Sequence, residues 1–220
     1  MNAELSTDPR LPRLEAAAAH LHLSLPANGA ERLLAFVDLL RRWNGTYNLT
    51  AVRDPDEMLV QHLFDCLAVV APLNRVLTQR PARLLDVGSG GGLPGVVLAI
   101  LIPDLDVTCV DTVGKKAAFI RQVGVELALR NLHAEHGRVE ALRCAPFNVI
   151  CSRAFASLAD FTRLTRPHLA GGNSVWMAMK GKRPDDEIAA LPGDIDVFHV
   201  EPLSVPELDA ERCLVWMKPR

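Results

Sequence analysis

The stretch Arg83-Leu84-Leu85-Asp86-Val87-Gly88-Ser89-Gly90-Gly91-Gly92-Leu93-Pro94-Gly95 decides the fold of this chain. An apolar strand runs into an acidic residue, a glycine-dense turn and the start of a helix. Glycine permits positive φ angles and lets a ligand approach the main chain closely. Pro94 suits the first turn of a helix, and the positive end of that helix would face a bound ligand. The stretch therefore predicts a nucleotide-type site at the end of a β-strand.

From residue 83 onward, short apolar runs alternate with helical patterns. Strands are predicted at 83–87, 106–111, 132–136, 147–152, 173–179, 196–201 and 212–218, and helices at 95–101, 115–129, 157–169 and 185–191. This alternation predicts an α/β fold with a Rossmann-like, mostly parallel seven-stranded sheet covered on both faces. Residues 202–211 are too few for a helical crossover, so we expect one antiparallel strand at the edge.

The first 75 residues have helical patterns instead. Apolar residues recur at helical spacing in residues 29–43, and Asp54-Pro55 followed by Glu57 is typical of a helix start. We expect the helix that begins there to end at Pro72 and Asn74. The chain is therefore divided into a helical extension, 1–75, and a Rossmann-like domain, 76–220, that together form one structural unit.

The composition limits the possible compartments and partners. Apolar residues make up 49% of the chain, but no apolar run reaches the length of a membrane span, and the N-terminus lacks the apolar core of a signal peptide. Five cysteines without a CxxC pair argue for reduced thiols and against a metal site. We therefore expect a cytoplasmic protein that binds no membrane. The net charge of −2 means that any RNA surface would be a local patch.

The identity of the nucleotide depends on the acidic residues. The carboxyl ends of parallel strands share one crevice, which brings Asp86, Asp111, Glu140 and Arg153 together. The segment Gly90–Gly95 also fits the dinucleotide fingerprint, so an NAD enzyme stays open. However, a carboxylate at position 86 would repel a pyrophosphate, whereas it would pair with the ammonium of S-adenosylmethionine. The residues favour S-adenosylmethionine, with Asp111 accepting the ribose hydroxyls.

Further motifs form an ordered set along nearly the whole chain. They are Arg42-Trp43-Asn44, Tyr47-Asn48-Leu49-Thr50, Arg53-Asp54-Pro55, Glu57-Met58-Leu59-Val60, His62 with Asp65, the stretch from Asp86 to Gly95, Arg138-Val139-Glu140, Ser152-Arg153-Ala154-Phe155-Ala156-Ser157 and Lys180-Gly181. With this set the sequence resembles the GidB (RsmG) family of bacterial 16S rRNA guanine-N7 methyltransferases.

The resemblance implies a class I methyltransferase fold and a set of binding residues. It implies that Gly88 and Leu93 contact the cofactor, that Val139 and Glu140 flank the adenine, and that Arg153 lies at the mouth shared by cofactor and substrate. The implied substrate is the guanine in the 530 loop of 16S rRNA, as part of the small ribosomal subunit or of an assembly intermediate.

The chemistry of the target atom limits what the protein must supply. Guanine N7 carries a lone pair and no proton, so we name no catalytic base and expect the protein to act by positioning. We also expect a monomer. Candidate substrate contacts are Arg153, Lys180, Lys182 and Arg183, although such charged residues are often only solvated. Two alternatives stay open: a methyltransferase of the same fold acting on a small molecule or protein, and an NAD(P) oxidoreductase.

Overall fold

A computed structural model describes residues 8–153, 155 and 157–220. Within residues 8–76 the chain is helical. The helices are α1 (Arg10–His20), α2 (Gly29–Tyr47), α3, which joins Pro55–Met58, a π-helical stretch Leu59–Phe64 and Asp65–Leu67, and α4 (Val70–Val76). Asp54 caps α3 as expected, because its Oδ1 accepts hydrogen bonds from the N–H groups of Asp56 and Glu57.

The expected end of this helical run at Pro72 is wrong. Pro72 is the third residue of α4, and Asn74 also lies within that helix. A proline is tolerated there because the first-turn N–H groups have no partner inside the helix. The break comes earlier, between Leu67 and Val70.

The second part of the chain forms the sheet and the helices that cover it. The strands are β1 (Ala82–Val87), β2 (Leu105–Asp111), β3 (Leu132–His136), β4 (Val149–Ser152), β5 (Val175–Lys180), β6 (Ile195–Pro202) and β7 (Cys213–Pro219). The helices are α5 (Gly95–Leu101), α6 (Gly114–Glu126), α7 (Leu158–Thr165) and α8 (Asp185–Ala189), with 3₁₀ turns at Val139–Ala141 and Arg166–His168.

The predicted α/β fold with a mostly parallel seven-stranded sheet is confirmed for the described residues. The strand order is β3-β2-β1-β4-β5-β7-β6. Strand β7 runs antiparallel to both β5 and β6, so the antiparallel pairing lies at this edge of the sheet, with β6 outermost. The parallel strands β1 to β5 bring their carboxyl ends to one side, which is where ligands of such sheets bind.

Side chains alternate between the two faces of the sheet, and each face has its own apolar core. On β1, Leu84 belongs to the core beneath α5 and α6, whereas Leu85 belongs to the core beneath α7. Strand β5 repeats the pattern with Met177 and Trp176. Because both faces are covered, the central strands β1, β4 and β5 are almost continuously buried, whereas the edge strands β3 and β6 carry exposed polar residues.

The N-terminal helices share the first of these cores. Phe36 and Trp43 of α2 lie against Phe119 of α6, with ring centroids 6.4 and 5.4 Å apart. Leu40 of α2 is fully buried and reaches the glycine loop after β1. The division of the chain at residue 75 stays a prediction, but α2 is packed directly against the loop that decides the fold. No helix of the described chain is long and apolar enough to cross a membrane.

Candidate active site

The loop after β1 turns sharply at two glycines that face open space. Gly88 and Gly90 have φ angles of 69° and 58°, which side-chain-bearing residues rarely adopt. A Cβ at Gly88 would meet no atom of the described chain within 4 Å, and one at Gly90 would meet only the carbonyl oxygen of Gly88 at 4.0 Å. Both backbones are therefore open to a ligand.

A cavity of about 460 Å³ lies at the carboxyl ends of β1, β2 and β3. Its walls are mainly apolar, with an acid on either side. The lining residues are Val87, Gly88, Val110, Asp111, Thr112, Val113, Lys116, Gly137, Arg138, Val139, Glu140, Phe155 and Leu164. Four predicted residues thus meet in one place: Gly88, Asp111, Val139 and Glu140.

Asp111 is the buried acid of this cavity. Its Oδ2 accepts a hydrogen bond from the N–H of Gly90 at 2.9 Å, and its Oδ1 accepts one from Val113 at 2.8 Å. The ammonium of Lys116 lies 3.9 Å from Oδ2. Asp111 therefore connects the glycine loop to the end of β2. Through its hydrogen bond to Asp111, Gly90 contributes to the site although it does not line the cavity.

Asp86 lies under the loop and does not line the cavity. It is fully buried, and its Oδ2 accepts a hydrogen bond from the N–H of Gly95 at 2.9 Å, which caps α5. Burial raises the pKa of Asp86 to about 7, against the opposing effects of the Gly95 hydrogen bond and the positive charge of Arg153. Direct pairing of Asp86 with a cofactor ammonium stays a prediction. The predicted contact residue Leu93 is also buried, in the core.

Val139 and Glu140 lie on opposite sides of the 3₁₀ turn. Val139 is buried, and its carbonyl oxygen accepts a hydrogen bond from the Nε2 atom of His168 at 2.8 Å. Glu140 is exposed at the rim of the cavity. The turn therefore places one apolar and one acidic side chain where a planar, hydrogen-bonding group could fit.

Arg153 lines a second cavity, of about 330 Å³, on the other side of the loop after β4. This cavity is bounded by α3 and by the ends of β4 and β5. Its lining residues are Gln61, His62, Asp65, Arg153, Met179, Lys180, Gly181 and Arg212. The Nη1 atom of Arg153 donates to the carbonyl oxygen of Gln61 at 3.3 Å and to Asp65 at 3.4 Å.

His62 in the π-helical stretch of α3 and Asp65 directly after it both line the second cavity, and both are buried. The Oγ1 atom of Thr50 lies 2.7 Å from the Nε2 atom of His62, and Asn44 fixes Thr50 by accepting its N–H at 2.9 Å. Burial, assisted by the charge of Arg153, lowers the pKa of His62 to about 4. His62 is therefore neutral at pH 7.

Comparison with known proteins agrees with this geometry. Residues 29–215 match the family model GidB, described as rRNA small subunit methyltransferase G. Two relatives named ribosomal RNA small subunit methyltransferase G come from Leptothrix cholodnii (63% identical, 96% of this chain and 97% of the relative) and Methylibium petroleiphilum (60% identical, 93% and 92%).

This chain belongs to the GidB family.

Solved structures share the GidB fold at low identity. TrmN from Thermus thermophilus superposes with a TM-score of 0.56 and 16% identity, over 70% of this chain and 49% of that chain. MtNAS in complex with MTA and tNA gives a TM-score of 0.56 and 18% identity, over 84% and 71%. At these identities the likeness shows the fold alone, which is that of class I methyltransferases.

As a member of the GidB family, the chain is an rRNA methyltransferase that uses S-adenosylmethionine. The first cavity fits this cofactor. Open space at the Cβ positions of Gly88 and Gly90 leaves room for a ligand against the backbone, and apolar walls end at Asp111 and Glu140. The sequence left S-adenosylmethionine and NAD open as cofactors, and the protein therefore uses S-adenosylmethionine.

The predicted substrate residues of this GidB protein divide into two groups. Arg153 and Lys180 meet in the second cavity, where the Nζ atom of Lys180 lies 2.8 Å from Glu187. Lys182 and Arg183 line neither cavity, and Arg183 pairs with Asp185 at 2.6 Å on the surface. Ala154 and Ala156, in the motif that contains Arg153, lie outside the described residues.

Sequence reasoning missed several residues of the GidB site. Phe155 and Leu164 form the apolar wall of the first cavity, and Arg212 enters the second from the connection between β6 and β7. Phe155 lies in a quoted motif, so its aromatic side chain was a usable signal. Arg212 is separated from Asp65 by most of the chain, and no local pattern indicates that the two meet.

Proposed function

We propose that this chain methylates N7 of the guanine in the 530 loop of 16S rRNA. In this proposal it acts as a monomer in the cytoplasm, on the small ribosomal subunit or an assembly intermediate. The observation that carries the proposal is the pair of neighbouring cavities at the carboxyl ends of the strands, in a chain that the GidB model matches. One cavity suits the donor, and the other leaves room for the acceptor.

The first cavity supplies complementary groups for adenosine. Asp111 is positioned to accept the ribose hydroxyls, because two backbone N–H groups already hold its carboxylate in place. Val139 and Phe155 offer apolar surface to the adenine, and Glu140 offers a hydrogen-bond acceptor at the rim. When bound, S-adenosylmethionine supplies a methyl group activated by a positively charged sulfur.

The protein contributes alignment rather than proton transfer. Guanine N7 attacks through its lone pair and releases no proton, so no general base is required. His62 is poorly suited to that role in any case, because its Nε2 atom is engaged with Thr50. Holding the two reactants in line can supply roughly 7–11 kcal/mol of barrier reduction.

During the reaction positive charge moves from the sulfur of the cofactor to the guanine, so the site must accommodate a positive charge at the donor and then at the acceptor. The guanine becomes cationic as it is methylated, so carboxylates near the acceptor stabilise the transition state. Asp65, buried in the second cavity, already faces Arg153 and Arg212 with its two oxygens, so it supplies no free negative charge for this purpose. Arg153 is accordingly better placed on an oxygen of the cofactor or nucleotide than against N7.

The test is to map N7-methylguanine in 16S rRNA by chemical cleavage, with and without the gene. Cleavage in the 530 loop should disappear when the gene is deleted and return when it is restored. A restored Asp111→Ala variant should not recover it. Unchanged cleavage in the deletion strain would contradict the proposed target.

A further inference from the structure

Arg212 is a cavity-lining cation that the proposed mechanism does not use. It lies just before β7, and its own carbonyl oxygen accepts a hydrogen bond from the N–H of Leu203 at 2.8 Å. Its Nε atom donates to Asp65 Oδ1 at 2.9 Å, and its Nη1 atom donates to the carbonyl oxygen of Glu211 at 2.8 Å. The backbone and two guanidinium nitrogens are thus fixed, while about a quarter of the side chain is exposed.

The carboxylate of Asp65 holds two guanidiniums at once. Its Oδ1 faces Arg212 and its Oδ2 faces Arg153 at 3.4 Å, and only 4% of its side chain is exposed. A buried carboxylate shared in this way orders both arginines against the same cavity. The Nη2 atom of Arg212 forms no hydrogen bond to any other described residue.

The charges around the second cavity do not cancel. Arg153, Arg212 and Lys180 carry three positive charges, whereas Asp65 and Glu187 carry two negative ones. His62 is neutral at pH 7 and adds nothing. Among these side chains the positive charges outnumber the negative ones by one, which suits a ligand group with a negative charge, such as a phosphodiester.

The position of the second cavity suits the acceptor strand. The Oγ atom of Ser152 donates to the carbonyl oxygen of Val87, which lines the first cavity, and the next residue, Arg153, lines the second. The loop after β4 is therefore a shared wall between the two cavities. Phe155 of the same loop lines the first cavity, so a nucleotide whose phosphate is held beside Arg153 lies next to the donor cavity.

We propose that Arg212, held by Asp65 beside Arg153, binds the phosphodiester of the target nucleotide in the RNA. This proposal rests on the proposed function, because it needs RNA as the methyl acceptor. Arginine suits the role, since its planar guanidinium donates to phosphate oxygens while another edge remains bonded to Asp65.

The experiment compares Arg212→Ala and Arg212→Gln with wild-type protein in methylation of small ribosomal subunits from the deletion strain. KM for the subunits should rise about tenfold or more, as expected for the loss of a hydrogen bond to a charged group. The slope of log KM against log salt should decrease by about one, because one phosphate contact is lost. Cofactor Kd, measured by calorimetry, should stay within about twofold.

Arg80→Ala is the matched control. Arg80 also bonds two side chains, Asp104 and Asn74, and its exposure is similar, but it lies at the opposite end of the sheet. The Arg80→Ala substitution should change neither KM for the subunits nor the slope of log KM against log salt. Arg212→Gln keeps a hydrogen-bond donor for Asp65, so KM and its salt dependence can still be measured with this variant if the alanine variant does not fold.

Two results would overturn the proposal. One is a weakened cofactor Kd with an unchanged KM for subunits, which would assign Arg212 to the carboxylate of the cofactor. The other is behaviour of both Arg212 variants indistinguishable from that of Arg80→Ala. A wild-type protein that fails to methylate the subunits would instead contradict the proposed function itself, so the two failures are distinguishable.

Discussion

Gly88 and Gly90 show how much of the donor site depends on single backbone positions. Both adopt left-handed φ angles, and the space where a Cβ would project is open. Gly90 additionally donates its N–H to Asp111, so the shape of the loop and the position of the ribose acid are coupled. A side chain here would both strain the backbone and occupy ligand space.

Gly90→Val is therefore expected to abolish measurable cofactor binding. The left-handed angle costs a residue with a side chain about 1–2 kcal/mol, and the β-branched side chain fills the open space. Isothermal titration with S-adenosylmethionine measures the effect. Gly193→Val is the control, because Gly193 has nothing within 4 Å and no positive φ. Micromolar binding by the Gly90 variant would refute the role given to the loop.

The raised pKa of Asp86 predicts an unusual dependence of the stability of the fold on pH. Its pKa in the folded protein is raised to about 7 from an ordinary value of 3.8. Between these values the folded state holds a proton that the unfolded chain has released, so this group destabilises the fold as pH rises, up to about 7. This loss of stability ends at the pH at which Asp86 is ionised in both the folded and the unfolded protein.

Asp86→Asn removes this titration while keeping an oxygen for the N–H of Gly95. From about pH 5 to about pH 8, the stability of wild type relative to the variant should fall by about 2–3 kcal/mol. Urea unfolding at the two pH values measures it. A relative stability that is constant or rises with pH would show that Asp86 is ionised in the folded protein.

At the scale of elements, α2 is packed onto the glycine loop, and none of its residues lines the first cavity. A Cβ at Gly91 would lie 2.9 Å from Cδ1 of Leu40, a fully buried residue of α2. The helix therefore contacts the loop by van der Waals packing, so the N-terminal helices support the loop that precedes α5. The last turn of the same helix carries Asn44, which supports Thr50 and, through it, His62.

Gly91→Ala should cost about 1–3 kcal/mol of unfolding free energy, because the added methyl overpacks this contact. In a Leu40→Ala background the same change should be neutral or slightly stabilising, since the clashing methyl group is gone. Urea unfolding of the four proteins gives the coupling. Gly45→Ala, in α2 with open space around it, is the control and should not destabilise. Equal costs in both backgrounds would argue against the contact.

At the scale of the whole molecule, the N-terminal helices and the sheet share one apolar core. Leu33 and Leu40 of α2 belong to the same cluster as Leu84 of β1 and Phe119 of α6. A shared core couples the elements that build it, so they should open together. The second cavity also depends on both parts of the chain, because α3 supplies one wall and the sheet supplies the other.

Native-state hydrogen exchange should therefore give equal opening free energies for the most protected amides of α2 and β1. The expectation is agreement within about 1 kcal/mol, because one cooperative transition exposes both. Exchange measured by mass spectrometry across a range of denaturant concentrations resolves the two elements. Exchange from α2 through a separate, lower-energy opening would show that the helical extension unfolds independently of the sheet.

The sequence by itself determined the architecture and the donor end of the site. Alternation of apolar strands with helices fixed the parallel sheet, and short-range patterns such as Asp54-Pro55 located a helix start. Asp111 and Glu140 could be predicted as site residues because they lie at or after the ends of parallel strands, which meet at a common edge, whereas Gly88 and Val139 were implied by the resemblance to the family. Apolar periodicity is a local property, so the chain displays it directly, whereas the order of the strands in the sheet is seen only in the structure.

Only the tertiary structure decided which of these residues face the cavity and which lie beneath it. Asp86 and Leu93 are adjacent in sequence to the open loop, yet packing buries both. Asp65 lies in α3, Arg153 follows β4 and Arg212 precedes β7, and only the fold brings their charges together. Burial and long-range ion pairing depend on atoms far apart in the chain, and no local pattern encodes them.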